Sequence, residues 1–178
     1  VHVFGNCCDV DAIEIIAQQR NLKTVYDGSH AFGVCFKGES VLNRGDASTL
    51  SFHATKLFHT CEGGAIIFRK KEDLERARLL INFGIKDAET INLLGINAKM
   101  SELHAAMGLC VLDDIDKILR DREELCYSYE KVLGSTFQMP EWNPDATRNF
   151  AYFPILFESE DALLVGKAKL EGLGIGSR

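Results

Sequence analysis

Three side chains in this sequence could act together if the fold brings them to one place: the amine of Lys56, the carboxylate of Asp27 and the hydroxyl of Ser51. Lys56 lies in LSFHATKLFHTCEGGAIIF, residues 50–68, where two apolar runs of the buried-strand type flank a connection that also carries His53, His59 and Glu62. Asp27 closes one short β-rich run, LKTVYD, Ser51 closes another, and Lys56 follows in the next loop. In open parallel sheets ligands bind beyond the carboxyl ends of the strands, so neighbouring strands here would bring an acid, a hydroxyl and an amine to one crevice. A lysine near a carboxylate is most simply a salt bridge. Against that plain reading, few solvated ion pairs sit between two buried strands, and Gly63 and Gly64 permit close backbone approach. The spacings of His53, His59, Cys61 and Glu62 match no zinc pattern.

The elements that must hold these groups follow from residue pattern. DVDAIEIIAQQRN opens with Asp9 as an N-cap and sets Val10, Ile13, Ile16 and Ala17 on one side, which predicts a helix. LKTVYD is the strand after it, and GSHAFGV a glycine-punctuated loop. Helix followed by strand at this spacing predicts a mostly parallel α/β sheet, to which STLSF and GAIIF add two buried strands. A helix is expected from Lys71 to about Asn82. Ser101 caps a longer one whose apolar stripe runs from Leu103 to Leu133, with a break near DDID, and which puts Cys110 and Cys126 on its apolar face. GSTFQMPEWNPDATRN reads as loop, FAYFPILF as a strand, and EDALLVGKAKLEGLG as a helix with a glycine stop. The opening VHVF reads as mid-strand, so the chain is expected to be an internal piece of a longer protein.

Composition narrows the function class. The chain has 178 residues, 46% hydrophobic and 26% charged, as in ordinary globular proteins. A net charge of −6 disfavours nucleic acid as a partner. No apolar run approaches the roughly 20 residues of a membrane helix, and no signal-peptide pattern opens the chain. Six cysteines without a CxxC pair do not make a disulfide framework, and a reduced, cytoplasmic setting is the expectation.

Four stretches in order carry a family resemblance. GDASTLSFHATKLFHTCEGGAIIF resembles the lysine motif of the DegT/DnrJ/StrS nucleotide-sugar aminotransferases, G-D-x-x-x-x-S-F-x-x-x-K followed by x-E-G-G. YDGSHAFG is similar to their D-x-A-H-A-x-G, and LGINAKMSELHAAMGL to their G-x-N-x-[RK]-M-x-E-x-x-A-A-x-G. VHVFGNCCDVDAI is similar to their opening P-V-H-x-x-G-x-x-x-D-x-x-x-I without its first proline. The resemblance implies the central part of an aminotransferase fold type I large domain, mostly parallel sheet flanked by helices, followed by the start of a small α+β domain. It divides the chain into residues 1–119 of the cofactor-binding domain and residues 120–178, a linking helix and the beginning of the small domain.

It also implies pyridoxal 5′-phosphate as cofactor and a set of roles. Lys56 would bind the cofactor covalently and then shuttle a proton during transfer. Asp27 would pair with the pyridine nitrogen and keep it protonated. His30 would contact the phenolic oxygen, Ser51 the phosphate, and Asn97 the phosphate of a neighbouring subunit, so that a homodimer shares its active sites. The substrates would be a nucleotide sugar and an amino-acid donor, glutamate being expected. Overall likeness favours dTDP-4-dehydro-6-deoxyglucose as the acceptor, in deoxyamino-sugar and lipopolysaccharide biosynthesis. Lys56 argues against the dehydrating branch of the family, which has histidine there, and a non-catalytic sensor or scaffold is the alternative class. His53 and His59 either line the site or are ordinary solvent or core histidines, Glu62 holds the loop, and Lys99 either meets a diphosphate or is a surface lysine. The family chain is roughly twice as long, and its front half is expected to supply a glycine-rich phosphate loop and the aromatic that stacks on the cofactor. Gly28 and Ser29 stand where alanines are usual, and Cys61 where glycine is.

Overall fold

The computed structural model describes residues 1–177. Helix α1, Val10–Arg20, starts where the Asp9 carboxylate accepts the Ala12 N–H at 2.9 Å, and it ends at Asn21 in a left-handed conformation. The chain then enters strand β1, Val25–Asp27. A loop at residues 28–34 leads into a two-stranded hairpin, β2 (Cys35–Phe36) and β3 (Glu39–Ser40). Strand β4, Ala47–Ser51, lies parallel to β1 with Thr49 opposite Asp27. Strand β5, Gly64–Phe68, runs antiparallel to β4 with Gly64 opposite Ser51, giving the order β1-β4-β5. The β4–β5 pair is antiparallel because the connection between them contains no helix: it doubles straight back, and a parallel pair would need a longer crossover.

Helix α2, Lys71–Leu80, leads to an irregular arm at residues 81–98 that folds back on itself through bonds such as Phe83 N–H to the Ile96 carbonyl at 3.0 Å. The predicted long helix is two: α3, Glu102–Asp113, and α4, Ile115–Leu133, broken at Asp114 (φ −101°, ψ 0°). Ser101 caps α3 by accepting the His104 N–H. Helix α5, Glu160–Gly172, is capped by Ser159 and closed by Gly174 at φ +76°, with Ile175 N–H reaching back to Leu170. The buried core lies between α1, β1 and the hairpin, around Cys7, Val10, Tyr26, Ala31, Val34, Phe36 and Val41. No helix among the described residues is long and apolar enough to cross a membrane.

Three expectations need correction. FAYFPILF forms no strand: Phe150 sits at φ +54°, Pro154 has no N–H to donate, and Leu156 alone bridges to Gln138. VHVF is not a strand either. Its His2 N–H bonds the Asp27 carbonyl at 3.0 Å, but Phe4 at φ +58° turns residues Val3–Gly5 into a single helical turn. Cys110 is exposed rather than packed, whereas Cys126 is buried, and all six thiols are free.

One feature left no mark in the sequence pattern. Residues 141–149 return as a strap over the first forty residues. Asn6 accepts the Asn143 N–H at 3.0 Å and donates to the Glu141 carbonyl, Asn143 donates to the Cys7 carbonyl, and Thr147 exchanges two bonds with Cys35. Each satisfies backbone groups that no ladder reaches.

Two tests follow from this packing. A Cβ at Gly28 would lie 2.9 Å from the Thr49 carbonyl oxygen and 2.7 Å from Leu42, so Gly28→Ala should destabilise the protein by about 1–3 kcal/mol in denaturant titration. His2 is fully buried against Tyr26, and burial pulls its pKa from 6.5 to about 4. The unfolded chain therefore binds a proton in that interval that the folded chain refuses, and stability should fall as pH drops from 6.5 towards 4. His2→Phe should flatten that part of the stability–pH curve.

Candidate active site

Asp27 and Ser51 end the parallel strands β1 and β4, so both stand at the same edge of the sheet. The Asp27 carboxylate accepts the Ser29 N–H at 2.9 Å, and hydrogen bonding by Ser29, hydroxyl as well as amide, holds it below the usual carboxylate range. It is ionised at neutral pH. Gly28 N–H bonds the Thr49 carbonyl at 2.9 Å, which carries the strand pairing one residue past Asp27.

Beyond Ser51 the chain makes a closed loop. Phe52 N–H bonds Gly63 and Thr60 N–H bonds Phe52, so the loop is pinched at its base. Within it, Lys56 N–H bonds the His53 carbonyl at 2.9 Å, a turn that His53 braces by accepting the Thr55 N–H on Nδ1. Ser51 Oγ accepts the His53 N–H at a long 3.4 Å. His53 Nε2 lies 3.6 Å from Glu62, at the exposed surface. Leu57, Phe58 and Thr60 point the other way and are buried. Lys56 itself is half-buried, and among the described residues its amine makes no hydrogen bond and no ion pair. The plain salt bridge to Asp27 is absent.

The two loops are joined by aromatic contact. Phe32, from the loop after Asp27, stacks on Phe58, from the Lys56 loop, with centroids 4.5 Å apart and planes at 14°; Phe52 meets Phe58 edge-on at 4.8 Å. His30 is clasped separately. Its Nδ1 accepts the Phe4 N–H at 3.1 Å, leaving Nε2 to carry the proton of the neutral ring, and Tyr152 packs against it at 4.5 Å. Partial burial lowers the affinity of His30 for a second proton, the Lys56 charge lowers it further, and Asp27 opposes both. Lys56 and Asp27 are therefore each within electrostatic reach of His30.

Asn97 is not drawn into this group. It lies exposed on the arm, where its carbonyl oxygen accepts from Lys99, which also bonds Asn82 and sits 4.8 Å over the Phe83 ring. No three His, Cys, Asp or Glu residues among those described converge as a metal site. A cleft bounded by Thr24, Arg44, Asp46 and Arg69 lies at the opposite, amino ends of β1 and β4 and holds none of the reactive groups. Sequence reasoning missed Phe4, Tyr152 and Asn149, which surround His30 from positions 26 to 122 residues away along the chain. Only the run of aromatics at residues 150–153 hinted at them.

Comparison with known proteins gives a consistent result. A family model for DegT/DnrJ/EryC1/StrS aminotransferases matches residues 1–176. The chain is 48% identical, over 162 residues, to a dTDP-4-amino-4,6-dideoxy-D-glucose transaminase of Shigella dysenteriae, covering 90% of this chain and 44% of that protein. It is 38% identical to the Escherichia coli protein of the same name, covering 89% of this chain and 43% of that protein. The solved structure of DesI in the presence of its TDP-sugar product matches with a TM-score of 0.90 at 28% identity, covering 99% of this chain and 46% of that one. The chain thus spans less than half the length of the curated relatives it matches.

The opposing influences on His30 have a direct test. Lys56→Met removes a cation from beside His30 and should raise the His30 pKa, whereas Asp27→Asn removes an anion and should lower it further. Titration of the His30 ring by NMR reads both, and movement in the same direction would contradict the arrangement.

Proposed function

Because the chain belongs to the DegT/DnrJ/EryC1/StrS aminotransferase family, we propose that it carries the reactive half of a site that moves an amino group from an amino-acid donor, glutamate being the expected one, to a keto sugar on a nucleotide. The observation that supports this best is a half-buried lysine amine, without a partner among the described residues, whose charge and that of the ionised Asp27 both reach the neutral His30. The donor set fits pyridoxal 5′-phosphate: an amine for its aldehyde, a carboxylate for its pyridine nitrogen and a strand-end hydroxyl for its phosphate. Bound there, the cofactor supplies an aldehyde that captures amines and a ring that withdraws electrons from the carbon next to the captured nitrogen.

The residues divide the work. Lys56, which makes no salt bridge among the described residues, would hold the cofactor through its amine, and the same amine when free would carry a proton from the donor's α-carbon to the cofactor's aldehyde carbon. An ion pair would occupy the amine and stabilise its ammonium form, working against both tasks. Asp27, kept ionised by Ser29, holds a proton on the pyridine nitrogen. His30 presents Nε2–H as a hydrogen-bond donor for the phenolic oxygen, because Nδ1 is already occupied by Phe4. Ser51 orients the phosphate. Asn97, outside the cluster of its own chain, serves the phosphate site of a neighbouring subunit in a homodimer. Residues 1–119 form the cofactor-binding part and residues 120–178 the start of a second unit, the division falling inside α4.

The substrate we favour is dTDP-4-dehydro-6-deoxyglucose, supported by the 48% identity to the Shigella transaminase, with a cytoplasmic role in the supply of deoxyamino sugars for surface polysaccharide. The whole protein with pyridoxal phosphate should show an absorbance band that borohydride removes, fixing the cofactor to the chain, and Lys56→Ala should abolish the band. The same substitution should reduce glutamate-dependent amination of keto-sugar nucleotides by at least about 100- to 10,000-fold. A colourless whole protein in excess cofactor would sink the proposal.

A further inference from the structure

Asn149 makes a set of contacts that the proposed chemistry does not explain. It is 3% exposed, and its carboxamide is fully engaged: Nδ2 donates to the carbonyls of His30 at 2.8 Å and Phe32 at 2.9 Å, while Oδ1 accepts the Ala151 N–H at 3.2 Å. The two carbonyls belong to the loop at residues 28–34, which has no strand neighbour to bond them. Between them Ala31 is completely buried, and its N–H turns back to Gly28 at 2.8 Å. Gly5, at φ +82°, makes room for the carboxamide, since a Cβ there would stand 2.6 Å from Asn149 Oδ1.

We propose that Asn149 is a positioning residue for the candidate site, fixing through its two donated hydrogen bonds the loop that presents His30 and Phe32. This rests on the reading of the site given above. The loop has two jobs, and Asn149 touches the backbone at both. The His30 carbonyl belongs to the histidine whose ring lies within reach of the charges of Lys56 and Asp27. The Phe32 carbonyl carries the ring that stacks on Phe58 and so ties in the Lys56 loop. Tyr152, three residues further along, closes over His30 from the same segment. Few other side chains can do this. Aspartate of the same shape would turn lone pairs towards two carbonyl oxygens, serine reaches one carbonyl at most, and glutamine is a methylene too long for a packed site.

The test compares Asn149→Asp and Asn149→Ser with Asn143→Ala in the whole protein. Asn143 ties the same strap to Asn6 and Cys7 and does not touch the loop, so it controls for simple loosening. Without cofactor, NMR of the His30 ring should show its titration moving back towards that of a free histidine in both Asn149 variants and staying at the wild-type value in Asn143→Ala. With cofactor and substrates, kcat should fall about 10- to 100-fold in Asn149→Asp, the size expected for a misplaced reacting group, with KM changing far less. Should Asn149→Asp not fold, Asn149→Ser decides by the same readouts. The inference is overturned if the Asn149 variants leave the His30 titration unchanged, or if Asn143→Ala shifts it equally. Failure of wild-type protein to bind pyridoxal phosphate would instead remove the functional reading, and the His30 titration would still decide the role of Asn149.

Discussion

The stacking of Phe32 on Phe58 is the contact on which the geometry of the site rests. Lys56 and His30 sit in two loops with no secondary structure of their own, following two different strands. Strand pairing fixes where each loop begins, but it does not fix how the loops face each other. A near-parallel aromatic stack does, and it adds about 0.5–1.5 kcal/mol beyond the area it buries. Phe52 meets the outer edge of Phe58, and α3 lies across the pair where Gly108 allows it: a Cβ there would stand 2.8 Å from Thr60 and 3.5 Å from the Phe58 ring. The apolar side of the Lys56 loop is thus the anchor, and the polar side is left free.

Around that anchor, each charged or polar group of the site is satisfied by a different partner. Ser29 holds Asp27, Phe4 occupies one nitrogen of His30, and Asn149 takes up the carbonyls of the loop. Lys56 has none. This asymmetry has a physical reason if the amine is to react. An aspartate already bound to Ser29 is less free to swing towards Lys56, and so leaves the amine available to another group.

What could be read in the sequence was local. The caps at Asp9 and Ser101 declare themselves because a short polar side chain before an apolar period has one efficient use. The break in the long helix shows as a cluster of aspartates, and the lysine loop shows as reactive residues between apolar runs. What could not be read was long-range. Whether FAYFPILF pairs depends on a neighbouring strand, and without one these residues are irregular chain joined by a single bridge at Leu156. Cys110 obeys the helical period but lies on a side of α3 that is exposed among the described residues. Asn149 gives no periodic signal at all, since its value lies in two carbonyls 117 and 119 residues away.

The departure from family pattern at Ser29 has a consequence of its own. Alanine at that position would leave only the backbone N–H to bond Asp27, whereas the serine hydroxyl adds a second donor, and that hydroxyl is the largest contributor to the low pKa of the carboxylate. A more stable carboxylate is a weaker base, and its charge is more securely present. Gly28 beside it has the opposite character: the close approach of the Thr49 carbonyl and Leu42 leaves no room for a side chain. One substitution tunes the acid and the other closes the sheet beneath it. Together they set Asp27 on a tighter, more polar base than two alanines would give, without displacing it from the strand end it shares with Ser51.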